Sequence, residues 1–213
     1  IGNLKFSESK TEKNYNFNSN LKKIFKSKKI WCAASTHNTE ERICATVHEK
    51  LKNKYKNLLT IIIPRHTQRA DKITNEIRDM GLKVQAHSSS NKTNNNTEIY
   101  LVDTFGETKS FFKICKTVFL GGSIINHGGQ NPLEPVRFGC RILHGPNIQN
   151  FAEVYNLLEK NNLSHKFYNS NQLAKLVDKS FGKNMNTSNK IRKIKKTGLN
   201  ILNNTLIEIN HYL

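Results

Sequence analysis

The sequence lacks the cysteine and metal-ligand patterns of a disulfide framework or a metal site. Its 213 residues contain four cysteines and no CxxC pair. The cysteines lie in apolar stretches, so we expect buried free thiols, as in a reducing cytoplasm, at Cys32, Cys44, Cys115 and Cys140. His37 and His127 raise the question of metal, but no HxxxH, DxD or carboxylate cluster accompanies them. We therefore expect neither a metal ion nor another cofactor.

Long hydrophobic runs are also absent. The longest, residues 58–63, is interrupted by Thr60 and is far too short to span a bilayer, and no signal peptide is present. The chain begins at Ile1 rather than at a methionine, which indicates a piece of a longer protein whose remaining part could carry a membrane anchor. The length suffices for one good-sized domain, or for two small domains that share an interface.

Acidic residues are scarce, with 16 against 34 basic residues and a formal net charge of +18. Such a charge raises nucleic acid and anionic membranes as partners. The densest basic clusters, residues 22–29 and 190–196, carry no aromatic residues at the spacing that base stacking needs. We expect no nucleic-acid binding. Two interpretations of these lysine clusters stay open: a peripheral contact with anionic lipid, or a solvated surface without a partner.

Short apolar runs alternate with amphipathic stretches, which predicts an α/β fold with a Rossmann-like, doubly wound parallel sheet. The predicted strands are residues 30–34, 58–63, 82–86, 99–102, 118–120 and 141–143. A capping box of Asn38 and Glu41 predicts a helix from Thr39, and a second helix ends at Gly81. We expect one domain over residues 1–185 and a terminal helix over residues 186–213 that packs on or beside it.

The most informative segment is GGSIINHGGQNPLEP, residues 121–135, which follows the apolar run of residues 117–120. The order strand, glycine loop, helix is typical of a turn that binds a ligand through its backbone. Gly128 and Gly129 allow a positive φ and a close approach of the backbone to a ligand.

The end of this segment adds a helix start and a carboxylate. Asn131 can cap the helix, Pro132 suits its first turn, and Glu134 can accept hydrogen bonds from the two hydroxyls of a ribose. The segment therefore predicts a nucleotide-sugar pocket. The alternative is a capped, glycine-rich turn in which Glu134 only offsets the helix dipole.

Three other polar segments follow predicted strands, at the edge where parallel sheets bind ligands. They are residues 34–41, 64–69 and 103–108. Arg65 should project from this edge, where its guanidinium suits phosphate or carboxylate; a surface salt bridge is the alternative. His66 is either a substrate contact or a structural histidine.

The first and third of these segments carry further candidates. Ser35 and Thr36 either donate hydrogen bonds to a ligand or only organise the turn. The carboxylates at residues 40–41 would repel a phosphate, so the first segment suits a sugar or an acceptor better. Gly106 and Glu107 offer an approachable backbone and a carboxylate, or form a plain helix start.

Together these motifs resemble a known family. ASTHxxEE, PRHxxR, DTxGE, GGS with GGxNPLEP, and GPNIQNF occur in the order and spacing of the carboxyl-terminal half of bacterial 3-deoxy-D-manno-octulosonic acid (Kdo) transferases. GNLKF, residues 2–6, is similar to the start of that half, so the resemblance covers nearly the whole chain. It implies a two-domain GT-B glycosyltransferase that is metal-independent and inverting. The second domain binds CMP-Kdo, and the first holds the lipid A precursor and the general base.

The resemblance also implies site residues. CMP contacts are expected at Pro64, Arg65, Phe105, Gly106, Glu107, Asn131, Pro132, Leu133 and Glu134. Donor-sugar or pocket positions are expected at Ser35, Thr36, His37, His66, Gly122, Ser123 and Gln130. The sequence departs from the family pattern at Thr39 (usually Gly), Thr67 (Pro), Phe105 (Met), Thr108 (Leu) and Gln130 (His). The last change removes a titratable group beside the nucleotide but keeps a hydrogen-bond donor.

These observations predict the donor-binding domain of a Kdo transferase of lipopolysaccharide biosynthesis, at the cytoplasmic face of a bacterial inner membrane. No general base is identifiable, so we expect no transfer by this chain alone. The alternatives are another GT-B nucleotide-sugar transferase, a sugar-nucleotide epimerase, or a basic module that binds nucleic acid or membrane.

Overall fold

The computed structural model describes residues 17–89 and 94–182. Seven strands form one parallel sheet in the order β3-β4-β2-β1-β5-β6-β7. They are β1 (Lys29–Thr36), β2 (Leu58–Pro64), β3 (Val84–Ala86), β4 (Ile99–Leu101), β5 (Thr117–Leu120), β6 (Arg141–His144) and β7 (Ser164–Lys166). The helices are α1 (Ser19–Ser27), α2 (Glu40–Lys52), α3 (Ala70–Asp79), α4 (Thr108–Ile114), α5 (Leu133–Arg137), α6 (Ala152–Lys160) and α7 (Ser170–Gly182).

Both faces of the sheet are covered, which is why β2 and β5 are buried at every residue. Trp31 and Ala33 of β1 belong to a core shared with the buried sides of α2, α3 and α7. The opposite face carries an aromatic group in which the ring centroid of Phe17 lies 5.2 Å from Phe25 and 5.0 Å from Phe111. Two buried layers around one sheet are typical of a doubly wound domain.

All six predicted strands are present, so the predicted fold class is confirmed. The strand β7 and the helix α1 were not predicted. The four cysteines are buried and free, as expected. No helix within residues 17–89 and 94–182 is long and apolar enough to cross a membrane. The predicted terminal helix, the lysine cluster at residues 190–196 and the GNLKF motif lie outside the described residues, so the domain limits stay predictions.

The predicted capping box at the start of α2 is wrong. The helix begins at Glu40, and Thr39 precedes it with a φ of 78° and no side-chain capping bond. Asn38 instead accepts a long hydrogen bond of 3.4 Å from Arg69. Glu40, rather than Glu41, makes the bond back to the backbone before the helix: its carboxylate accepts from the backbone N–H of His37. Asn38 is thus bonded to Arg69, which follows β2, and a local motif does not report a contact between residues so far apart in the chain.

Candidate functional site

The polar segments predicted to bind a ligand all lie at one edge of the sheet. They follow β1, β2, β4 and β5, and the carboxyl ends of parallel strands share one edge. Strand order reverses at the centre of the sheet, because β2 lies on one side of β1 and β5 on the other. A reversal of this kind opens a crevice between the two loops, where such folds bind ligands.

A buried carboxylate joins the two loops at this reversal. The oxygens of Glu40 accept from the backbone N–H of His37 (2.9 Å), Gly122 (2.8 Å), Ser123 (3.2 Å) and Ile124 (3.0 Å). Burial raises the pKa of Glu40, and the hydrogen bonds from Gly122, His37 and Ile124 act against that rise. The carboxylate therefore fixes the loop after β5 to the start of α2.

Gly121 explains how the loops come so close together. A Cβ atom at this position would lie 2.3 Å from the carbonyl oxygen of Ser35 and 2.7 Å from Oε2 of Glu40. Both distances are far below van der Waals contact. Only glycine fits between the end of β5 and the Glu40 carboxylate.

The acidic pair at the start of α2 does not face a ligand, and the expected repulsion of phosphate there was wrong. Glu40 is bonded by backbone N–H groups, and Glu41 forms a two-point ion pair with Arg69 at 2.9 and 3.1 Å. Both glutamates are buried. Their charge is used within the fold, which leaves the edge of the sheet more electropositive than its sequence predicts.

Two of the predicted pocket hydroxyls are structural or inaccessible. Ser123 is buried, donates to the carbonyl of Leu120 (2.6 Å) and accepts from the N–H of Gly145 (2.9 Å). Its hydroxyl is therefore used within the fold rather than in a pocket. Thr36 is also fully buried, and its hydroxyl has no hydrogen-bond partner among the described residues. Only Ser35, which has a φ of 54°, stays partly exposed.

The predicted close approach of Gly128 and Gly129 to a ligand is instead an approach to the chain's own GPNIQNF motif. Both glycines have the positive φ that was predicted, 94° and 77°. A Cβ atom on Gly128 would lie 2.3 Å from the side-chain nitrogen of Asn150, and one on Gly129 would lie 3.2 Å from the carbonyl of Asn147. The glycines let two motifs pack together, which holds the loop before α5 in place.

The helix start beyond these glycines agrees with the prediction. The side chain of Asn131 accepts from the N–H of Leu133 at 3.0 Å, and Glu134 lies in the first turn of α5. Pro132 and Leu133 are buried, so only their backbone can meet a ligand. Glu134 is half exposed, with its carboxylate 3.7 Å from the Nζ of Lys109. Nearby, the side chain of Gln130 is partly buried.

Two large side chains project from the loops after β2 and β4. The Arg65 side chain is exposed and pairs with no acidic side chain in the described part of the chain, while its backbone N–H donates to the carbonyl of Thr36 at 2.9 Å. Phe105 has 75% of its surface exposed, which is unusual for an aromatic residue. Gly106 follows with a φ of 85°. Pro64, in contrast, is buried at the end of β2.

His87 is a site residue that the sequence analysis missed. Its Nε2 lies 2.6 Å from Oε2 of Glu107, and its Nδ1 lies 2.7 Å from the hydroxyl of Tyr100. The same carboxylate oxygen accepts from Thr104 at 2.9 Å. These bonds fix one oxygen of Glu107 and orient the carboxylate for a further partner. The signal was available, since His87 directly follows a predicted strand at the ligand edge.

Three histidines meet at the central crevice. The ring centroid of His37 lies 4.3 Å from that of His127 and 5.9 Å from that of His66. Burial, together with charge repulsion from His127, His66, Arg69 and Arg65, lowers the pKa of His37 to about 4. Within residues 17–89 and 94–182, no group of three or more histidine, cysteine or acidic side chains has an arrangement that could hold a metal ion.

Comparison with known proteins agrees with the motifs and the fold. No family model matches the chain. The 3-deoxy-D-manno-octulosonic acid transferase of Haemophilus influenzae is 34% identical over 158 residues, 74% of this chain and 37% of that protein. The same transferase of Rickettsia typhi is 27% identical over 213 residues, 100% of this chain and 46% of that protein. The chain thus spans less than half the length of these relatives.

A solved structure has the same fold. The C-terminal CMP-Kdo binding domain of WaaA from Acinetobacter baumannii superposes with a TM-score of 0.73 at 22% identity, covering 82% of this chain and 91% of that one. The fold and its predicted ligand edge therefore define a Rossmann-like domain of the class that binds ligands at the carboxyl ends of parallel strands. Within that class, the chain is a relative of the Kdo transferases, which confirms the resemblance inferred from the motifs.

Proposed function

We propose that this chain is the donor-binding domain of a Kdo transferase, which transfers Kdo from CMP-Kdo to a lipid A precursor in lipopolysaccharide biosynthesis. The observation that carries the proposal is that Arg65, Glu107 and Glu134 come from three separate loops at one edge of the sheet. A guanidinium for phosphate and carboxylates for hydroxyls are the groups that a nucleotide requires. The relatives named for this transfer support the choice of sugar, and the name of the CMP-Kdo binding domain of WaaA supports the choice of nucleotide.

The proposed contacts divide the nucleotide into three parts. Arg65 binds the phosphate, and Glu134 accepts from the ribose hydroxyls. Phe105, which is exposed beside Gly106, offers a face on which the cytosine can stack. Glu107, oriented by His87, accepts from a polar group of the nucleotide.

The proposed reaction is an inverting displacement without a metal ion. An acceptor hydroxyl attacks the anomeric carbon, its proton passes to a general base, and the bond from that carbon to the phosphate oxygen breaks as CMP leaves. Arg65 stabilises the charge that develops on the departing phosphate. The buried or bonded carboxylates of this edge, Glu40, Glu41 and Glu107, are poor candidates for the base. We place the base outside this chain, which alone is then expected to bind the donor without transferring it.

The phosphate contact gives the test of this proposal. Calorimetry should show that the 213-residue chain binds CMP more tightly than cytidine. Arg65→Ala should weaken CMP binding about tenfold and leave cytidine binding unchanged, because one charge-assisted hydrogen bond contributes roughly 1.5 kcal/mol. Arg78→Ala, an exposed arginine on α3, is the matched control and should behave as wild type. A chain that does not bind CMP, or a variant with equal losses for both ligands, would contradict the proposal.

The proposed place of action is the cytoplasmic face of the inner membrane, with a peripheral contact to anionic lipid. Helix α1 supports the contact, because its buried side carries Leu21 and Phe25 while Lys22, Lys23 and Lys26 are exposed. Each lysine near an anionic surface contributes on the order of 1 kcal/mol at low salt. The matched cluster at residues 190–196 lies outside the described residues.

We expect replacement of Lys22, Lys23 and Lys26 by glutamine to lower the recovery of the chain with anionic liposomes in a flotation assay at low salt. Neutral liposomes serve as the reference, and glutamine at Lys175 and Lys179 of α7 serves as the control. Equal recovery on anionic and neutral vesicles by the wild-type chain would refute the lipid contact. Salt-sensitive binding to random oligonucleotides, with no response to CMP, would instead indicate a nucleic-acid module.

A further inference from the structure

The three histidines of the central crevice form a cluster whose members come from three different loops. His37 follows β1, His66 follows β2, and His127 lies in the loop between β5 and α5. Gly122 makes room for them, since a Cβ atom there would lie 3.0 Å from the ring of His127 and 3.3 Å from that of His37. We call His37, His66 and His127 the histidine cluster.

The base of the cluster holds two buried polar atoms that lack partners. Neither Nε2 of His37 nor the hydroxyl oxygen of Thr36 has a hydrogen-bond partner among the described residues, and His37 is only 9% exposed. A buried polar group without a partner costs about 1–3 kcal/mol, so such atoms are uncommon and mark places where another molecule can complete the bonding. The Thr36 hydroxyl is inaccessible, so it is Nε2 of His37, in the cluster itself, that points to a polar ligand.

The charges around the cluster favour an anionic ligand. Glu40 and Glu41 are the nearest carboxylates on α2, and both are bonded within the fold, to backbone N–H groups and to Arg69. Arg65 remains beside the cluster, close enough to lower the pKa of His37. Because these carboxylates already have partners and Arg65 lies beside the cluster, the crevice can bind an anion without an additional cation to balance its charge.

We propose that the histidine cluster binds the carboxylate that a ulosonic acid carries on its anomeric carbon, next to the phosphate bound by Arg65. The inference rests on the proposed function. In such a donor the carboxylate and the phosphate ester share one carbon, so two adjacent cationic contacts are required. Arg65 and His66 are neighbours in the chain, and His66 belongs to the cluster. A neutral sugar attached to a nucleotide has the phosphate but no carboxylate, so it lacks the group that the histidine cluster would bind.

The exposed ring of His127 lies over the buried ring of His37, which suggests how the carboxylate enters. The carboxylate first meets His66 and His127. Nε2 of His37 is then the buried donor of the cluster. This role requires the ring to carry a hydrogen on Nε2, either in that neutral tautomer or in the protonated form, in which both ring nitrogens donate.

The cluster predicts that donor binding takes up protons. The groups that face His37 are Glu40 of α2, Arg65, His66 and Arg69 after β2, and His127 after β5. Burial and the cations among them hold the pKa of His37 near 4, and a bound carboxylate would raise the pKa of His37. Protonation then favours the bound state, so affinity for the carboxylate-bearing donor should increase as the pH falls through the histidine range.

The test compares CMP with CMP-Kdo, which is generated in place by its synthetase in the absence of acceptor. His66→Gln combined with His127→Gln removes two exposed rings, and His165→Gln, away from the crevice, is the control. The double variant should bind CMP-Kdo about tenfold more weakly and CMP within about twofold of wild type.

The pH dependence is measured on CMP-Kdo between about pH 6.5 and 8.5, because its phosphodiester does not titrate there, whereas the monoester of CMP does. Wild-type affinity should rise toward low pH, and the variant's profile should be flatter.

An independent signal comes from the histidine ring resonances in NMR. Those of His37 should shift on addition of CMP-Kdo and not on addition of CMP. Equal losses for both ligands, or unchanged CMP-Kdo binding in the double variant, would overturn the carboxylate site while leaving the donor-binding function intact. Failure of the wild-type chain to bind CMP at all would instead remove the proposed function, and the inference with it.

Discussion

Replacing Glu40 with alanine should lower the free energy of unfolding by about 3–5 kcal/mol, the range found when one partner of a buried charged network is removed. The change would leave four backbone N–H groups, those of His37, Gly122, Ser123 and Ile124, without their acceptor in a buried crevice. It would also open a cavity beside Gly121. Chemical denaturation monitored by circular dichroism gives the unfolding free energy directly.

Glu49→Ala is the matched control, because Glu49 lies on the same helix at a partly exposed position. We expect this control to change stability by less than about 0.5 kcal/mol. Glu40→Gln should fall between the two, since the amide keeps one acceptor oxygen but adds donors that face other donors. If Glu40→Ala were as stable as Glu49→Ala, the carboxylate would not be what joins the loops after β1 and β5.

The Glu40 network also shows where sequence patterns stop being informative. The runs that form β2 and β5 are short, largely apolar and rich in β-branched residues, so their burial as strands was predictable. Three of the four partners of Glu40, the N–H groups of Gly122, Ser123 and Ile124, lie more than 80 residues further along the chain. A local capping pattern therefore selected Glu41 instead, one residue too late. Whether a carboxylate faces a ligand or the fold depends on contacts that a single sequence does not show.

The features near the edges of the fold that were not predicted from the sequence were overlooked for similar reasons. The strand β7, SHK, has no apolar residue and pairs only with β6, so neither hydrophobicity nor alternation reveals it. His87 was given no role in the prediction, because its partners Tyr100 and Glu107 lie on the neighbouring strand and at the next helix start rather than beside it in the sequence. The ordered motifs correctly predicted that the polar segments lie at one edge of the sheet. They did not distinguish Ser123, which bonds within the fold, from residues available to a ligand.

Glu134→Ala should weaken CMP binding by about 1.5–3 kcal/mol, a roughly 10- to 150-fold increase in the dissociation constant, if Glu134 accepts from both ribose hydroxyls. Its position supports this role, because the carboxylate lies in the first turn of α5 and is half exposed beside the crevice. Calorimetry with CMP, 2′-deoxy-CMP and 3′-deoxy-CMP measures the contribution of each hydroxyl. The wild-type chain should prefer CMP, and the variant should bind all three ligands about equally.

Two controls separate ribose recognition from the structure of the helix start. Glu153→Ala removes a carboxylate from the first turn of α6, so it reports the general effect of such a change and should leave CMP binding unaltered. Lys109→Ala removes the ammonium that lies 3.7 Å from Glu134 and should preserve the preference for CMP over its deoxy forms.

A Glu134→Ala variant that still discriminates against the deoxy ligands would show that another group recognises the ribose. Because Asn131 holds the start of α5 through its bond to Leu133, the unfolding free energy of the variant should stay within about 0.5 kcal/mol of wild type. A loss of binding can then be assigned to the missing carboxylate rather than to a disordered helix.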